Sequence, residues 1–470
     1  MSDGIRRMLV GVIASVFSGL AAGQSLPNLF PFLNSAGALE TYNAGGPVDL
    51  NGPFFQSFGT NGRSCGTCHR PAEAWSISAS EVKFRFEATA GTDPIFRPVD
   101  GSVCDHNVNT STLAGRRAAY ALLTNRGLLR IAIAVPPNAE FTVVGVVNPY
   151  GCNEPDTLSM YRRPLPAANL RFLSAVMWDG RESSPQTGTE KIAYATNPAD
   201  LQTDLAHQAL DATNGHAQAT TPLTTHQQQA IVNFEMGLSA AQAYDYRAGA
   251  LNSAGAQAGP TNLANQTTPS FFIGINDPLG GNPHGTPFTP AIFDLFNAWT
   301  NLRHSDEGST SQRASIARGQ AVFNSKRISI TGVTGLNDAL NIDSIPGTCG
   351  TCHDAPDAGN HSLAVALNIG VSDVDSPLDV SYLPTFTLQN KSTHQTVMTT
   401  DPGRALITGL WADVGKVKGP VLRGLPARAP YFHNGSAQSL SDVLSFYDTR
   451  FKIGFTEQEK EDLIAFLNAL

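Results

Sequence analysis

The chain contains the pentapeptide Cys65-Gly66-Thr67-Cys68-His69 and repeats it as Cys349-Gly350-Thr351-Cys352-His353. Two thiols three positions apart lie on one helical turn, where each can add to a vinyl group of haem, and the histidine that follows can ligate the iron. A redox pair would not need the histidine twice, and a structural zinc site needs four ligands close together. We therefore expect one covalently bound haem c at each pentapeptide, with His69 and His353 as iron ligands.

The first 23 residues differ from the rest of the chain. Arg6 and Arg7 are basic, residues 8–20 are largely apolar, and residues 21–23 are small. This three-part pattern is typical of a secretory signal peptide. The apolar run is short for a membrane helix, which needs about 20 residues, and no later stretch is apolar enough to span a membrane. We expect cleavage near Gln24 and a periplasmic protein that does not span the membrane; a retained N-terminal anchor is the alternative.

Export bears on the two cysteines outside the pentapeptides. Cys104 and Cys152 lie in stretches rich in Asp, Asn, Gly and Pro. In an exported protein two leftover cysteines usually pair. We predict a disulfide between them, with two free buried thiols as the alternative.

Composition indicates a loop-rich globular protein. The chain has 470 residues, 43 Gly, 30 Pro and a formal net charge of −8; 15% of its residues are charged and 41% hydrophobic. At roughly 150 residues per domain, two or three domains are expected. Without clustered Lys and Arg, the chain is not expected to bind nucleic acid, and its apolar content is too high for a disordered protein.

The wide separation of the pentapeptides predicts two haem domains. We place the first at residues 24–305 and the second at 306–470. The first is expected to hold a helix near 225–243 and a short hairpin in the β-branched stretch 128–147, while 252–304 is typical of a long connection. The expected fold is mainly α: two cytochrome c-like haem domains with long loops and a small β element in the first.

Two helices are predicted to frame the second pentapeptide. One covers residues 311–324, and the other closes the chain, where Thr456 and Glu459 form a capping box. We expect the two helices to cross at Gly319, because a glycine permits close approach.

Two further motifs accompany the pentapeptides. Residues 178–181 read Trp-Asp-Gly-Arg, and residues 429–436 read Ala-Pro-Tyr-Phe-His-Asn-Gly-Ser. Together with two exported haem-c units and the closing helix, they resemble the bacterial di-haem cytochrome c peroxidases and the related MauG-like enzymes. The motifs are specific as a set and weak singly, and they fall in both haem domains.

The resemblance implies a peroxidase-type oxidoreductase. Hydrogen peroxide would react at the first haem, and electrons would enter through the second from a small cytochrome or cupredoxin, or from a protein substrate. Trp178 would lie between the haems and help to pass electrons. A non-enzymatic electron-transfer cytochrome and a haem oxygenase acting on an organic substrate remain the alternatives.

The resemblance also suggests a sixth ligand for the second haem. Counted from His433, the family's axial residue falls at Tyr447, where peroxidases have Met and MauG-like enzymes have Tyr. A Tyr oxygen favours ferric and higher-valent iron. Met398 is the rival, and neither residue is the third alternative.

The far side of the first haem is less well matched. The family has a Gln followed ten residues later by an acid-base Glu; Gln208 matches the Gln, but Gln218 stands at the Glu position. His216 is close by and could act as general base, since its unperturbed pKa lies near neutrality. It could also be a surface or packing residue, or ligate the iron, so a five-coordinate resting haem is not assured.

The family also binds calcium between its domains through backbone carbonyls and an Asn. Pro430 matches one carbonyl position. The Asn position falls near Arg162 and Arg163, so a calcium ion is a possible cofactor without a matching side chain.

Overall fold

The computed structural model describes residues 25–183, 194–302, 309–363 and 365–470. The predicted signal peptide lies outside this part of the chain, as does the predicted domain boundary at 305/306. The domain limits therefore stay predictions. Within the described ranges, no helix is both long and apolar enough to cross a membrane.

Helices and strands are both numerous in the described ranges. The twelve α-helices are α1 (Cys65–Cys68), α2 (Ala79–Thr89), α3 (Leu113–Ala119), α4 (Ala121–Arg126), α5 (Pro198–Gly215), α6 (Thr225–Gly237), α7 (Pro260–Ala264), α8 (Ser309–Ser325), α9 (Asn337–Leu340), α10 (Ala405–Thr408), α11 (Leu440–Phe451) and α12 (Glu457–Asn468). The fifteen strands are β1 (Ser25–Leu26), β2 (Phe32–Leu33), β3 (Gly37–Asn43), β4 (Val48–Asp49), β5 (Leu129–Ala134), β6 (Phe141–Val147), β7 (Thr157–Arg162), β8 (Leu238–Asp245), β9 (Gly249–Ala250), β10 (Ile328–Thr331), β11 (Ser344–Gly347), β12 (Ala366–Leu367), β13 (Thr385–Asn390), β14 (Thr396–Thr399) and β15 (Val417–Lys418).

The strands form six small antiparallel sheets in this part of the chain. One has four strands in the order β2-β3-β8-β9 and one has three in the order β14-β13-β6; the others are the pairs β1-β4, β5-β7, β10-β11 and β12-β15. The expectation of a mainly α fold is therefore only partly right, because the β content extends well beyond a small element in the first domain.

The stretch 128–147 does not form the predicted hairpin. Strand β5 pairs with β7, whereas β6 pairs with β13 from the C-terminal half of the chain. Its β-branched residues do favour strands, but a shared core decides the partners: Leu158 and Met160 of β7 pack in one cluster with Phe386 and Leu388 of β13. The three-stranded sheet that contains β6 and β13 therefore links the two halves of the chain.

The helix predicted near residues 225–243 is also shorter than expected. A capping box of Thr224 and Gln227 starts α6, and the helix ends at Gly237. The chain then extends as β8, which pairs along the whole of β3. Tertiary pairing has overridden the helical pattern in residues 238–243.

The predicted disulfide is present. Cys104 and Cys152 are buried, and their Cα atoms are 5.8 Å apart. The four pentapeptide cysteines form no disulfide. The six cysteines therefore divide into one bridge and two unpaired sets.

The predicted crossing of α8 and α12 is confirmed. A Cβ atom at Gly319 would lie 2.0 Å from the carbonyl oxygen of Asp462, so only glycine fits there. Phe323 and Phe466 pack edge-to-face beside the crossing at 5.8 Å between ring centroids. Thr456 and Glu459 form the predicted capping box of α12.

Gly319→Ala should destabilise the holoprotein by about 1–3 kcal/mol, the usual cost of overpacking. Alanine is the better helix former, so the loss would come from contact with α12. Gly215→Ala is the matched control, since a Cβ there meets nothing within 4 Å. Thermal unfolding followed at the haem band checks both; equal midpoints for the two variants would contradict the close crossing.

Candidate di-haem site

Both pentapeptides form a single helical turn, α-helical at Cys65–Cys68 and 3-10 at Cys349–Thr351. The threonine of each forms a reciprocal capping box with the residue before the first cysteine: Ser64 with Thr67, and Thr348 with Thr351. The backbone N–H of each histidine donates to the carbonyl of the first cysteine, at 2.9 Å for His69 and 3.0 Å for His353. The two thiols and the imidazole are thereby held on one turn.

The two imidazoles are oriented alike. Nδ1 of His69 donates to the carbonyl of Trp75 at 2.9 Å, and Nδ1 of His353 donates to that of Gly359 at 2.7 Å. A donating Nδ1 leaves Nε2 unprotonated and able to ligate a metal. Burial lowers the pKa of both rings, that of His353 to about 4, so both are neutral at neutral pH.

Two cavities contain the pentapeptides. Cys65, Cys68 and His69 line the first cavity, and Cys349, Cys352 and His353 line the second. The cavities share a wall, which consists of five residues that line both: Arg163, Pro164, Trp178, Lys418 and Pro420. The predicted residues Gln208 and His216 lie in the first cavity and Tyr447 lies in the second.

Trp178 is held rigidly in the shared wall. Its Nε1 donates to the carbonyl of Arg163 at 2.7 Å, and its ring meets that of His433 edge-to-face at 5.9 Å between centroids. The N–H of Arg163 donates to the carbonyl of His433, also at 2.7 Å. Trp178 therefore contacts both cavities, while its role in electron transfer stays a prediction.

The loops that carry Trp178 and His433 are structurally duplicated. Residues 176–182 and 431–437 are each closed by an antiparallel bridge between their first and last residues. Backbone φ is positive at the second and fifth positions of both loops: 65° at Met177, 67° at Gly180, 62° at Phe432 and 66° at Gly435. Trp178 and His433 thus occupy equivalent positions. The duplication of these loops is not evident in the sequence, because they share little beyond the glycine at the fifth position, Gly180 or Gly435.

His216 is the partly exposed end of a polar chain whose other two members, Asp100 and Arg63, are buried. Its Nδ1 donates to the carboxylate of Asp100, which also binds the guanidinium of Arg63. Burial raises the pKa of Asp100, but the hydrogen bond from His216 and the charge of Arg63 hold it below its usual range. In the described part of the chain nothing hydrogen-bonds Nε2 of His216, so this atom is free in the first cavity.

Sequence reasoning did not identify Asp100 or Arg63. Asp100 is 116 positions from His216, and no local pattern marks it. Gln218, at the position of the family's Glu, is exposed and does not line the first cavity.

A second residue that sequence reasoning missed is Glu235. It lies on α6, lines the first cavity and is only 5% exposed. Its Oε2 has no hydrogen-bond partner in the described residues, and burial raises its pKa to about 8. The sequence signal was the spacing: Glu235 lies four positions after Ile231, on the face of α6 that carries its apolar residues.

Tyr447 enters the second cavity from α11 within an aromatic cluster. Its ring packs against Phe432, Phe446 and Phe451. Burial and the nearby Cys352 and Cys349 raise the pKa of its phenol, and among the described residues nothing hydrogen-bonds its Oη. Met398, by contrast, lies on β14, is 50% exposed and does not line this cavity.

The donor set of both cavities fits haem. Each offers two free thiols and an imidazole with an available Nε2, and Lys418 adds positive charge to the shared wall. Lys418 is 4% exposed, and burial alone lowers its pKa to about 8. Burying a cation without a counter-charge is costly, so Lys418 suits the anionic propionates of haem.

Known proteins resemble this chain over part of its length. Cytochrome-c peroxidase IdrP1 of Pseudomonas sp. (strain SCT) is 31% identical over 146 residues, and IdrP2 of Denitromonas iodatirespirans is 31% identical over 144 residues. The matches cover 26% and 28% of this chain and 36% and 38% of those relatives. The chain therefore spans little more than a third of the curated relatives' length. No protein-family model matches it.

These sequence matches bear out the resemblance to cytochrome c peroxidases over about a quarter of this chain, at low identity. Among solved structures, a MauG-like protein associated with microbial copper homeostasis aligns with 69% of this chain and 77% of its own, at 16% identity. Its TM-score of 0.30 is too low to carry an argument.

Tyr447→Phe should change the absorption and paramagnetic resonance spectra of the second haem only, because it removes the phenol oxygen and keeps the ring in its aromatic cluster. Met398→Leu is the control and should leave both spectra unchanged. An unaltered spectrum for Y447F would reject Tyr447 as the sixth ligand, and a changed spectrum for M398L would favour Met398.

Proposed function

We propose that the protein is a periplasmic di-haem c-type oxidoreductase of the peroxidase and MauG class. Hydrogen peroxide would react at the haem held by His69, and electrons would pass through the haem held by His353. The observation that carries this proposal is the shared wall: two pentapeptide-lined cavities meet at Trp178. The haem groups would supply the redox chemistry and the cleavage of the O–O bond.

His216 is the proposed general base of the first cavity. Its Nδ1–H is directed at Asp100, so Nε2 is the atom that can take a proton from peroxide and return it to the departing oxygen. Arg63 keeps Asp100 ionised and so fixes this tautomer. Gln208, two turns earlier on α5, lines the same cavity and can orient peroxide by hydrogen bonding.

Trp178 is the proposed electron relay between the cavities. Its indole is buried, fixed by the Arg163 carbonyl and in edge contact with His433. A rigid aromatic ring between two redox centres shortens the gap that an electron crosses. The reductant would be a small electron-donor protein, or an oxidisable residue of a protein substrate.

A non-enzymatic electron-transfer cytochrome is the second candidate. The observation that favours it is the contact between His216 and Asp100, because histidines that ligate metals commonly donate their other N–H to a carboxylate. In that case His216 would close the first haem and both irons would be six-coordinate.

The spin state of the first haem decides between these functions. We expect a high-spin ferric component in the resting holoprotein, and its loss on addition of stoichiometric hydrogen peroxide under anaerobic conditions. Absorption and paramagnetic resonance spectroscopy record both changes. Two low-spin haems that ignore peroxide would reject the peroxidase proposal in favour of the cytochrome.

His216→Gln should slow the reaction with peroxide by roughly 10²–10⁴-fold, the usual contribution of a general base. Asp100→Asn should cause a smaller loss and change the pH profile, because it misorients the imidazole. Stopped-flow absorption measures both rates, and His226→Gln, at an exposed site on α6, is the control. A wild-type rate in H216Q would remove His216 from the mechanism, whereas a changed resting spectrum would make it an iron ligand.

A further inference from the structure

The side chain of Arg163 occupies a cage of backbone carbonyl groups. Its guanidinium donates to the carbonyl oxygens of Arg126 and Arg428, each at 2.8 Å, and to that of Ile77. These carbonyls belong to three separate segments: the stretch after the first pentapeptide, the end of α4 and the loop before the 429–436 motif. One side chain thus joins both halves of the chain beside the shared wall.

The direct hydrogen-bond partners of this guanidinium are carbonyl dipoles, and the charge of Glu73 acts on it from further away. Arg163 is 5% exposed, and within the described residues no carboxylate lies at ion-pair distance from it. Burial and the nearby Arg428 lower the pKa of Arg163 to about 9, which still leaves it charged at neutral pH. Three carbonyl oxygens directed at one buried point form a binding site for a cation. The guanidinium of Arg163 is the cation that occupies it.

The surrounding backbone is shaped to the guanidinium. Gly127 ends α4 with a φ of 62°, and a Cβ there would lie 2.2 Å from an Nη atom of Arg163. The glycine lets the carbonyl of Arg126 approach the side chain. A planar guanidinium can donate to several carbonyls at fixed angles, which a lysine ammonium cannot reproduce.

This arrangement does not fit the calcium ion that the family resemblance implies. Calcium takes six to eight oxygen ligands, usually including carboxylates. The carbonyl of Arg428, two positions before Pro430, is already bound by Arg163. The buried carboxylates that contact the neighbouring Arg162, those of Asp179 and Asp401, are paired with it at 2.5 and 2.7 Å. A divalent ion here would meet the fixed positive charge of Arg163. The partly buried carboxyl group of Glu73, which acts on Arg163 through its charge, forms no ion pair with it, and burial raises the pKa of Glu73 to about 7.

We infer that the guanidinium of Arg163 takes the place of a calcium ion between the two haem cavities, so that this protein needs no calcium. The same residue's backbone holds Trp178 and His433. Its side-chain contacts therefore also stabilise the wall that both cavities share. The inference does not depend on the reaction with peroxide.

The first test uses the wild-type holoprotein, dialysed against EGTA or supplied with calcium chloride. We expect elemental analysis to find calcium well below one ion per chain, and the thermal midpoint and the spectra of both haems to be the same in the two samples. One retained calcium per chain, or a shift of midpoint or spectrum on EGTA treatment, would overturn the inference.

The second test replaces the cation. Arg163→Gln should lower the thermal midpoint, because it leaves buried carbonyls without a donor, and calcium should raise the midpoint of this variant but not that of the wild type. The thermal midpoint of Arg163→Lys should lie between those of Arg163→Gln and the wild type, since lysine keeps the positive charge and lacks the planar guanidinium. Arg117→Gln, which removes an exposed pair with Glu87, is the control. If R163Q and R117Q unfold at the same temperature, the inference fails; if R163Q does not fold, the wild-type calcium measurement still decides.

Discussion

The backbone of Arg163 is the connection on which the site depends. Its N–H binds the loop of His433 and its C=O binds the indole of Trp178, each at 2.7 Å. Because Pro164 follows, Arg163 favours extended conformations, in which its N–H and C=O point to the same side. One buried residue thereby sets the separation of the two rings. The position of the Trp178 indole therefore depends on the backbone of Arg163 as well as on the rotamer of Trp178.

The geometry of the two pentapeptides, in contrast, is local and self-contained. Each pentapeptide is closed by its own capping box, and each histidine is oriented by a carbonyl six residues further along. No distant side chain is needed to direct Nε2 into the cavity. Two such units can therefore be placed on one chain with different surroundings, and the surroundings are where the two cavities differ.

The sequence could predict the local features of the structure, but not the contacts between distant parts of the chain. The pentapeptides, the capping box of α12 and the close crossing at Gly319 depend on residues near one another in sequence or on a backbone requirement that only glycine meets. The pairing of β6 with β13 and the contact of Asp100 with His216 depend on tertiary packing across more than a hundred positions. Periodicity marks a strand or a charged residue, but it does not identify the partner.

His216 and Tyr447 lie among groups that differ in their ability to bind or release a proton. In the first cavity, His216 leads to Asp100 and Arg63, and Glu235 is neutral at neutral pH because burial raises its pKa to about 8. In the second cavity, the surroundings of Tyr447 are aromatic, and burial disfavours ionisation of its phenol. Breaking a peroxide bond requires protons to move, whereas passing an electron requires only a rigid and weakly polar path. The proposed division between a reactive first haem and a relaying second haem therefore has a basis in the side chains around His216 and around Tyr447.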